Sequence, residues 1–424
     1  MLIVVIFFIV ALLIGIPLAF VMGGTGIVHL LTLDNELFLQ VIPQRLFMGV
    51  NNITLTCLPF FIIAGQIMNV GGITKKLMDA ARELVGHLKG GLAYTTVLVS
   101  VVLSAIIGAA QAVASILCTV MLPEMEKDGY EPEFSASLIS AAGVLGPIIP
   151  PSVVFVAYSV LADVGVKALF MGGIIPGVCL AIGYAVLIFI KSRGKNFPVP
   201  TRKFNLMACL KCFVKGLPAL LIPFIIVGGI MSGIFTPTES GAVAVVAAII
   251  VGLVYRTLDL RKLPKILLDA GIVSAGILFI IAFGNVIGWT MAMGGIPEMI
   301  KAAIFSVTTN PDIVLFIMLL VLIVVGCLMD VTAATMLFVP VMSPIAVSIG
   351  MDPIHWGVIF CIMLCIGFIT PPVGQVLFVV SNVSNISFTR LCKNILPFCL
   401  VAFVITFTLA YLPDVMMWLP RVFA

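Results

Sequence analysis

Residues 146–152 read Gly-Pro-Ile-Ile-Pro-Pro-Ser, and residues 367–374 read Gly-Phe-Ile-Thr-Pro-Pro-Val-Gly. Each stretch interrupts a long apolar segment, 134–163 in the first case and 356–384 in the second. Two successive prolines remove two backbone N–H donors, so an α-helix does not continue through them. We therefore predict two helices that each unwind at a Pro-Pro pair. In a membrane, such unwound backbone must be buried in protein or line a wet cavity.

The two Pro-Pro stretches belong to an internal repeat. Seven prolines and glycines recur at one offset of 221 residues: Pro123, Gly129, Pro132, Gly146, Pro150, Pro151 and Pro176 match Pro344, Gly350, Pro353, Gly367, Pro371, Pro372 and Pro397. A fixed offset shared by so many special residues indicates a duplicated unit. We predict a first repeat over residues 1–190 and a second over residues 216–424, joined by a connector over residues 191–215.

The composition indicates an integral membrane protein. Of 424 residues, 62% are hydrophobic and 9% are charged. Soluble domains carry about 25% charged residues, so this chain lacks the side chains that would cover a globular surface. Apolar runs such as 217–234, 242–254 and 272–287 are long enough to cross much of a hydrocarbon core roughly 30 Å thick. A signal peptide does not explain them, because such runs continue to the C-terminus.

The placement of charge predicts the membrane topology. Loops 74–90 and 256–269 are rich in Lys and Arg and are predicted to be cytoplasmic, whereas loops 32–45 and 296–312 are poor in both. Loops 74–90 and 296–312 occupy corresponding positions in the two repeats, so the repeats are predicted to have opposite orientations. The connector is also predicted to be cytoplasmic because it contains seven basic residues and no acid: Lys191, Arg193, Lys195, Arg202, Lys203, Lys211 and Lys215.

Each repeat also contains an apolar segment that is predicted to fold back on itself. Residues 91–124 are broken near Ile106–Ala109, and residues 312–346 are broken near Cys327–Asp330. Each segment is long enough for two short helices, so we interpret both as re-entrant hairpins. The predicted fold class is an all-α integral membrane protein with an inverted-topology repeat, two re-entrant helical hairpins and two Pro-Pro-interrupted helices. This plan is common among secondary transporters with a site near the membrane midplane.

The reactive side chains do not form an enzyme motif. The ten cysteines are scattered through apolar segments, which argues against a disulfide framework. Cys209-x-x-Cys212 has no second Cys or His pair nearby, and the three histidines are far apart. An intramembrane enzyme is disfavoured because no nucleophile–base or metal set is visible. A nucleic-acid surface is disfavoured because short basic loops beside spans are the ordinary topology signal.

The helix breaks are predicted to form the transport site. Carbonyl oxygens at helix C-termini suit a hard cation such as Na⁺, and N–H groups at helix N-termini suit a carboxylate. Two repeats imply two quasi-equivalent Na⁺ sites. The candidate cation ligands are Ser104, Gly108 and Gly146 in the first site and Gly326, Asp330, Thr332, Gly367 and Thr370 in the second. The candidate substrate ligands are Gln111, Ser152, Asp330, Thr370 and Asn382.

Four polar residues have more than one interpretation. Asp330 is an acid within the apolar run 323–341, and acids inside a membrane favour a functional role. Asp is also a common helix N-cap, and the two roles are compatible. The amides of Gln111 and Asn382 are equally suited to satisfying neighbouring backbone groups. Glu239 lies in Thr-Pro-Thr-Glu-Ser at a turn between helices, where it suits either capping of the following helix or a substrate role.

Several motifs together resemble a known family of transporter subunits: Gly-Pro-Ile-Ile-Pro-Pro-Ser (146–152), Thr-Pro-Thr-Glu-Ser-Gly (236–241), Met-Asp-x-Thr-Ala-Ala (329–334), Gly-Met-Asp-Pro-Ile-His-Trp-Gly (350–357) and Gly-Phe-Ile-Thr-Pro-Pro-Val-Gly (367–374). They are similar to motifs of the large membrane subunit of tripartite ATP-independent periplasmic (TRAP) transporters, and the resemblance spans essentially the whole chain. It implies an elevator-type, Na⁺-driven importer of small organic acids, such as dicarboxylates, sugar acids or sialic acid, in a bacterial inner membrane. It also implies two partners, a small four-helix membrane subunit and a periplasmic substrate-binding protein.

One motif departs from the family pattern. The first hairpin of the family usually carries Ser-Gly-Ser-Ala-x-Ala-Asp, whereas residues 107–113 here read Ile-Gly-Ala-Ala-Gln-Ala-Val. Both hydroxyls and the acid are missing, so the first cation site uses backbone carbonyls alone, uses Ser104, or is lost. A stand-alone Na⁺-coupled di- or tricarboxylate symporter would share the architecture without needing partners, and it stays open as an alternative.

Overall fold

The computed structural model describes residues 2–33, 36–193, 197–198 and 206–423. Within these ranges the chain is helical and contains no β-strand, which confirms the predicted all-α class. Seven of the described helices are long and apolar enough to cross a membrane, judged by length and composition: Ile53–Val70, Val166–Ser192, Pro237–Val254, Leu260–Met293, Pro311–Leu328, Val331–Ser348 and Phe388–Ala410. The chain is therefore a multi-pass membrane protein.

The α-helices are numbered in chain order. The first half of the chain contains α1 (Leu2–Leu13), α2 (Leu18–Leu31), α3 (Ile42–Val50), α4 (Cys57–Val70), α5 (Ile73–Val85), α6 (Gly91–Ile107), α7 (Ala110–Lys127), α8 (Pro132–Gly143), α9 (Val153–Ala162) and α10 (Val166–Ser192). The second half contains α11 (Leu206–Met231), α12 (Pro237–Val254), α13 (Leu263–Met293), α14 (Ile296–Val307), α15 (Pro311–Leu328), α16 (Val331–Ser348), α17 (Pro353–Gly367), α18 (Gln375–Ser384), α19 (Phe388–Ala410), α20 (Pro413–Met416) and α21 (Trp418–Phe423). Short 3₁₀ helices cover Glu36–Val41, Ile53–Thr56 and Leu260–Lys262.

Local signals explain where the important helices begin and end. The Pro-Pro pairs lie between α8 and α9 and between α17 and α18, where their missing N–H donors are tolerated. Helix α6 ends at Gly108, whose φ of +68° favours glycine. Helix α9 begins after Ser152, whose hydroxyl accepts a hydrogen bond from the Phe155 N–H. Thr236 and Glu239 form a capping box that starts α12, so the structure gives Glu239 a capping role.

The two halves carry matching local conformations. The turn between α7 and α8 contains Gly129 with a φ of +89°, and the turn between α16 and α17 contains Gly350 with a φ of +87°. Helices α9 and α18 are followed by left-handed residues, Asp163 with a φ of +51° and Asn385 with a φ of +58°. Such matched conformations are expected of a duplicated unit. The opposite orientation of the repeats and the re-entrant course of the hairpins remain predictions.

Two groups of helices can be distinguished by their packing. Helices α6 and α7 are joined by a short link, residues 108–109, and α15 and α16 by another, residues 329–330. Helix α7 packs against α18 and α16 packs against α9, so each hairpin contacts the interrupted helix of the other half. We call α6–α9 and α15–α18 the hairpin group. Helices α2–α4 and α11–α13 pack on one another and form the outer group, which meets the hairpin group where α13 packs on α16 and α4 on α6.

The regions predicted as loops are partly helical. Helix α11 begins at Leu206 and α10 runs to Ser192, so both ends of the predicted connector belong to helices. Its residues 194–196 and 199–205 lie outside the described residues. Pro43 lies in the first turn of α3, where proline is favoured because its missing N–H would have no partner there. The last residues of the predicted loop 32–45, including Pro43, are therefore helical.

The inverted repeat predicts that matched positions lie on opposite faces of the membrane. Lys127 at the end of α7 and Ser348 at the end of α16 are both exposed and are related by the repeat offset. In a cysteine-free background, we expect Lys127→Cys to react with a membrane-impermeant maleimide only from the cytoplasmic side. We expect Ser348→Cys to react only from the periplasmic side. Labelling of both positions from the same side would contradict the inverted repeat.

Candidate functional site

The link of the first hairpin contacts the first Pro-Pro stretch. A Cβ atom added to Gly108 would lie 2.6 Å from the carbonyl oxygen of Pro151. From the outer group, a Cβ atom added to Gly65 of α4 would lie 3.3 Å from the carbonyl oxygen of Ile106. The two glycines therefore allow the backbones of α4, the hairpin link and the Pro-Pro stretch to approach closely, because a side chain at either position would crowd its neighbour.

The second hairpin makes an even closer contact with the second interrupted helix. A Cβ atom added to Gly367 would lie 2.2 Å from the carbonyl carbon of Gly326, and one added to Gly326 would lie 3.0 Å from Cα of Leu364. Helices α15 and α17 thus touch through backbone atoms at the depth of the helix break. The second hairpin and its interrupted helix form one closely packed unit.

A cavity of about 510 Å³ lies where the two hairpin links face α4 and α13. This volume is within the range of sites that bind small organic molecules. The polar side chains of its lining are Gln66, Asn69, Gln111, Asp330 and Thr332. The rest of the lining is apolar or backbone, including Ile62, Gly65, Ile107, Gly108, Ala109, Pro147, Val153, Ile272, Gly276, Ile280 and Phe368.

Three helix N-termini converge on this cavity. The first residues of α7 (Ala110–Ala112), α9 (Val153 and Val154) and α16 (Val331 and Thr332) all belong to its lining. A helix N-terminus carries a partial positive charge and presents free N–H groups, so it attracts anions. The lining contains no Lys or Arg among the described residues. Helix termini therefore provide the positive potential that the cavity offers to an anion.

Asp330 caps a helix and also lies at the cavity. It is the N-cap of α16, and its Oδ1 accepts a hydrogen bond from the Thr332 N–H at 2.9 Å. The residue is half-buried and lines the cavity. One carboxylate oxygen thus caps the helix, while the carboxylate as a whole places a negative charge on the cavity wall.

Gln111 connects the two halves of the chain. Its side-chain Nε2 donates a hydrogen bond to Oε1 of Gln375 over 3.2 Å. Gln111 lies in the first turn of α7, and Gln375 is the first residue of α18, directly after the second Pro-Pro stretch. This amide pair ties the first hairpin link to the second interrupted helix, and Gln111 also lines the cavity.

The structure brings only part of the predicted ligand set to the cavity. Gly108, Gln111, Asp330 and Thr332 line it, whereas Ser104, Gly146, Ser152, Gly326, Gly367, Thr370 and Asn382 do not. Three hydroxyls bond backbone carbonyls instead, Ser104 that of Ser100, Ser152 that of Pro147 and Thr370 that of Ile366. Asn382 is exposed on α18. The ligand roles of all these residues stay predictions.

The cavity also contains polar residues that the sequence interpretation missed. Gln66 and Asn69 of α4 belong to its lining. The available signal was a pair of amides three residues apart in an apolar run, which places both on one face of a helix. That signal indicates a polar helix face, but it does not identify what the face contacts.

The cavity lies nearer one face of the predicted membrane. The lining residues of α4, 62–69, are close to the C-terminal end of that helix, which is soon followed by the basic loop 74–90. The lining residues of α13, 272–280, begin three residues after the predicted basic loop 256–269 and reach just past the middle of that helix. Because both loops are predicted to be cytoplasmic, the cavity lies toward the predicted cytoplasmic face.

The fold and the cavity are those of a multi-pass membrane protein in which two hairpins and two interrupted helices converge on one cavity, a plan common among secondary transporters. Comparison with known proteins identifies the family. Residues 5–415 match the family described as "Tripartite ATP-independent periplasmic transporter, DctM component". The chain belongs to this family, which confirms the resemblance inferred from its motifs.

Individual relatives support the same assignment. The chain is 36% identical to the C4-dicarboxylate TRAP transporter large permease protein DctM of Pseudomonas aeruginosa, over 89% of this chain and 88% of that protein. It is 33% identical to the sialic acid TRAP transporter large permease protein SiaM of Vibrio cholerae, over 96% of each. These relatives are transporter permeases, so the prediction that the chain is not an enzyme is confirmed.

A solved structure shares the fold. The crystal structure of the Alcanivorax borkumensis YdaH transporter, which has an unusual topology, matches with a TM-score of 0.66 and 13% identity. The match covers 89% of this chain and 88% of that one. At this level of identity the likeness concerns the fold alone.

Proposed function

We propose that the chain imports a small organic anion together with Na⁺ through the cavity between the hairpin links and α4. The observation that carries this proposal is the convergence of Asp330, Thr332 and three helix N-termini on one cavity. Oxygen ligands suit a hard cation, and helix N-termini suit an anion. The same cavity thus offers places for both species, as coupled transport requires.

The second half of the chain is the better candidate for binding Na⁺. Asp330 and Thr332 would contribute oxygen atoms, and backbone carbonyls near Gly326 and Gly367 would add others. In the first half, Gly108 lies at the cavity while the Ser104 hydroxyl is buried and bonded to the Ser100 carbonyl. These contacts favour backbone carbonyls over the Ser104 hydroxyl for a first Na⁺ site.

The packing supports an elevator-type mechanism. The hairpin group contains both interrupted helices and both links, and it meets the outer group along α13–α16 and α4–α6. Movement of the hairpin group past the outer group would carry the site from one face of the membrane to the other. A cavity near the predicted cytoplasmic face corresponds to an inward-facing state of such a cycle.

Relatives suggest the substrates and partners. The two permeases compared above are named for C4-dicarboxylates and for sialic acid, so a small carboxylate is the proposed substrate class. The family is described as tripartite and periplasmic. We expect a small four-helix membrane subunit and a periplasmic substrate-binding protein as partners, with the chain located in a bacterial inner membrane.

Reconstitution tests the requirement for partners. Proteoliposomes that contain the chain, the small subunit and the binding protein should accumulate substrate when Na⁺ is higher outside. Vesicles that lack the small subunit or the binding protein should not, because the binding protein delivers the substrate and the family works as an assembly. Full uptake by the isolated chain would instead identify a stand-alone symporter. Uptake that does not depend on the Na⁺ gradient would contradict the proposed coupling of substrate to Na⁺.

A further inference from the structure

Helix α4 presents a polar stripe to the transport cavity. Ile62, Gly65, Gln66 and Asn69 all line the cavity, and their spacing of three or four residues places them on one face of the helix. Two of the four carry amides. Gln66 is half-buried and Asn69 is exposed. The face of α4 turned toward the hairpin links therefore combines apolar contact with two groups that can donate and accept hydrogen bonds.

Within the part of the chain that the structure describes, these two amides are not committed to other protein groups. Neither Gln66 nor Asn69 makes a side-chain hydrogen bond to another described residue, whereas Gln111 on the opposite wall bonds Gln375. Both lie within Ile53–Val70, a helix long and apolar enough to cross a membrane. Polar side chains within such a segment are costly unless they meet water, a ligand or each other. Both residues line the cavity, so a substrate bound there is within reach of their amides.

Helix α4, which carries the polar stripe, is held in place by packing against other helices. On its other side, a Cβ atom added to Gly241 of α12 would lie 2.8 Å from Cβ of Phe60. Helix α13 packs against α4 as well. Packing on both sides holds the helix backbone that carries these residues in place, which a selective contact requires.

We propose that Gln66 and Asn69 determine substrate selectivity by hydrogen bonding to hydroxyl or amide groups of the transported acid. This inference rests on the proposed function and extends it. The cation and the carboxylate belong at the hairpin links, next to Asp330 and the helix N-termini. The neutral polar part of the substrate then faces α4 across the same cavity. The preferred substrates are thus small carboxylates that carry hydroxyl or amide groups, rather than their unsubstituted analogues.

Direct binding tests this division of roles. The purified full chain in lipid nanodiscs would be titrated by calorimetry, with and without Na⁺, using three pairs of probes: L-lactate and propionate, L-malate and succinate, and D-gluconate and hexanoate. We expect the wild-type protein to prefer the hydroxylated member of at least one pair. Gln66→Leu and Asn69→Ala should each reduce this preference about fivefold, the effect of losing one net hydrogen bond. Binding of the unsubstituted acid and its Na⁺ dependence should not change.

A matched control variant distinguishes a loss of substrate selectivity from a general loss of binding. Gln44→Leu makes the same change of side chain at an exposed position of α3 outside the cavity lining, and it should leave the preference unchanged. Equal preference within every pair in the wild-type protein would overturn the inference, as would an unaltered preference in both variants or a parallel loss for both members of a pair. If no carboxylate binds in a Na⁺-dependent manner, the proposed function itself fails.

Discussion

Replacing Asp330 by Asn is expected to raise the Na⁺ concentration needed for half-maximal uptake by about tenfold or more. A cation and a carboxylate about 4 Å apart attract each other by about 4 kcal/mol at an intermediate dielectric, before screening by water. Loss of a fraction of that attraction corresponds to a tenfold change, because about 1.4 kcal/mol equals a factor of ten. Uptake by the reconstituted transporter, measured against Na⁺ concentration, would reveal the change.

The choice of Asn distinguishes the proposed cation-binding role of Asp330 from its role as a helix cap. Asn is itself a good N-cap, so the bond from the Thr332 N–H should survive and α16 should keep its start. If Asp330 served only as a cap, the variant would show normal uptake and a normal Na⁺ requirement. Gln111→Ala is the milder comparison, because it removes a neutral amide that bonds Gln375. A larger effect of Gln111→Ala than of Asp330→Asn on the Na⁺ requirement would contradict the assignment.

The positions of the helix breaks could be predicted from the sequence because they depend on local chemistry. The Pro-Pro pairs remove backbone donors, and they lie outside helices as expected. Gly108 ends α6 through its positive φ, and Asp330 caps α16, so the two links fall within the predicted breaks. Patterns of this kind do not depend on which helices are neighbours in the fold. They can therefore be recognised in a single amino-acid sequence.

The composition of the cavity could be predicted only in part. Asp330 and Gln111 were identifiable because they lie at hairpin links. Gln66 and Asn69 were not, because the position of α4 against the first link depends on packing between distant helices. The hydroxyls of Ser104 and Thr370, which the sequence also offers as ligands, bond backbone carbonyls of their own helices and do not line the cavity. A hydroxyl that bonds the carbonyl of the preceding helical turn has the same sequence context as one that faces a ligand.

Gly367→Ala should be the most damaging single substitution among the predicted ligands. The new Cβ atom would lie 2.2 Å from the carbonyl carbon of Gly326 and 2.5 Å from its Cα. Because both contacts are with backbone, α15 and α17 would have to separate, and crowding of this kind typically costs about 1–3 kcal/mol. We expect lower thermal stability of the purified protein and loss of Na⁺-coupled uptake, since the separation displaces the second hairpin link.

The same substitution distinguishes a packing role from a ligand role. If Gly367 acted only through its carbonyl oxygen, alanine would preserve that group and transport would continue. Gly271→Ala in α13 is the matched control, because a Cβ atom there would meet nothing within 4 Å. Alanine is favoured over glycine in a helix by roughly 1 kcal/mol, so this variant should be as stable as the wild-type protein or slightly more stable. Equal thermal stability of the two variants would mean that α15 and α17 do not meet at Gly326 and Gly367, and the second hairpin would then be held by other contacts.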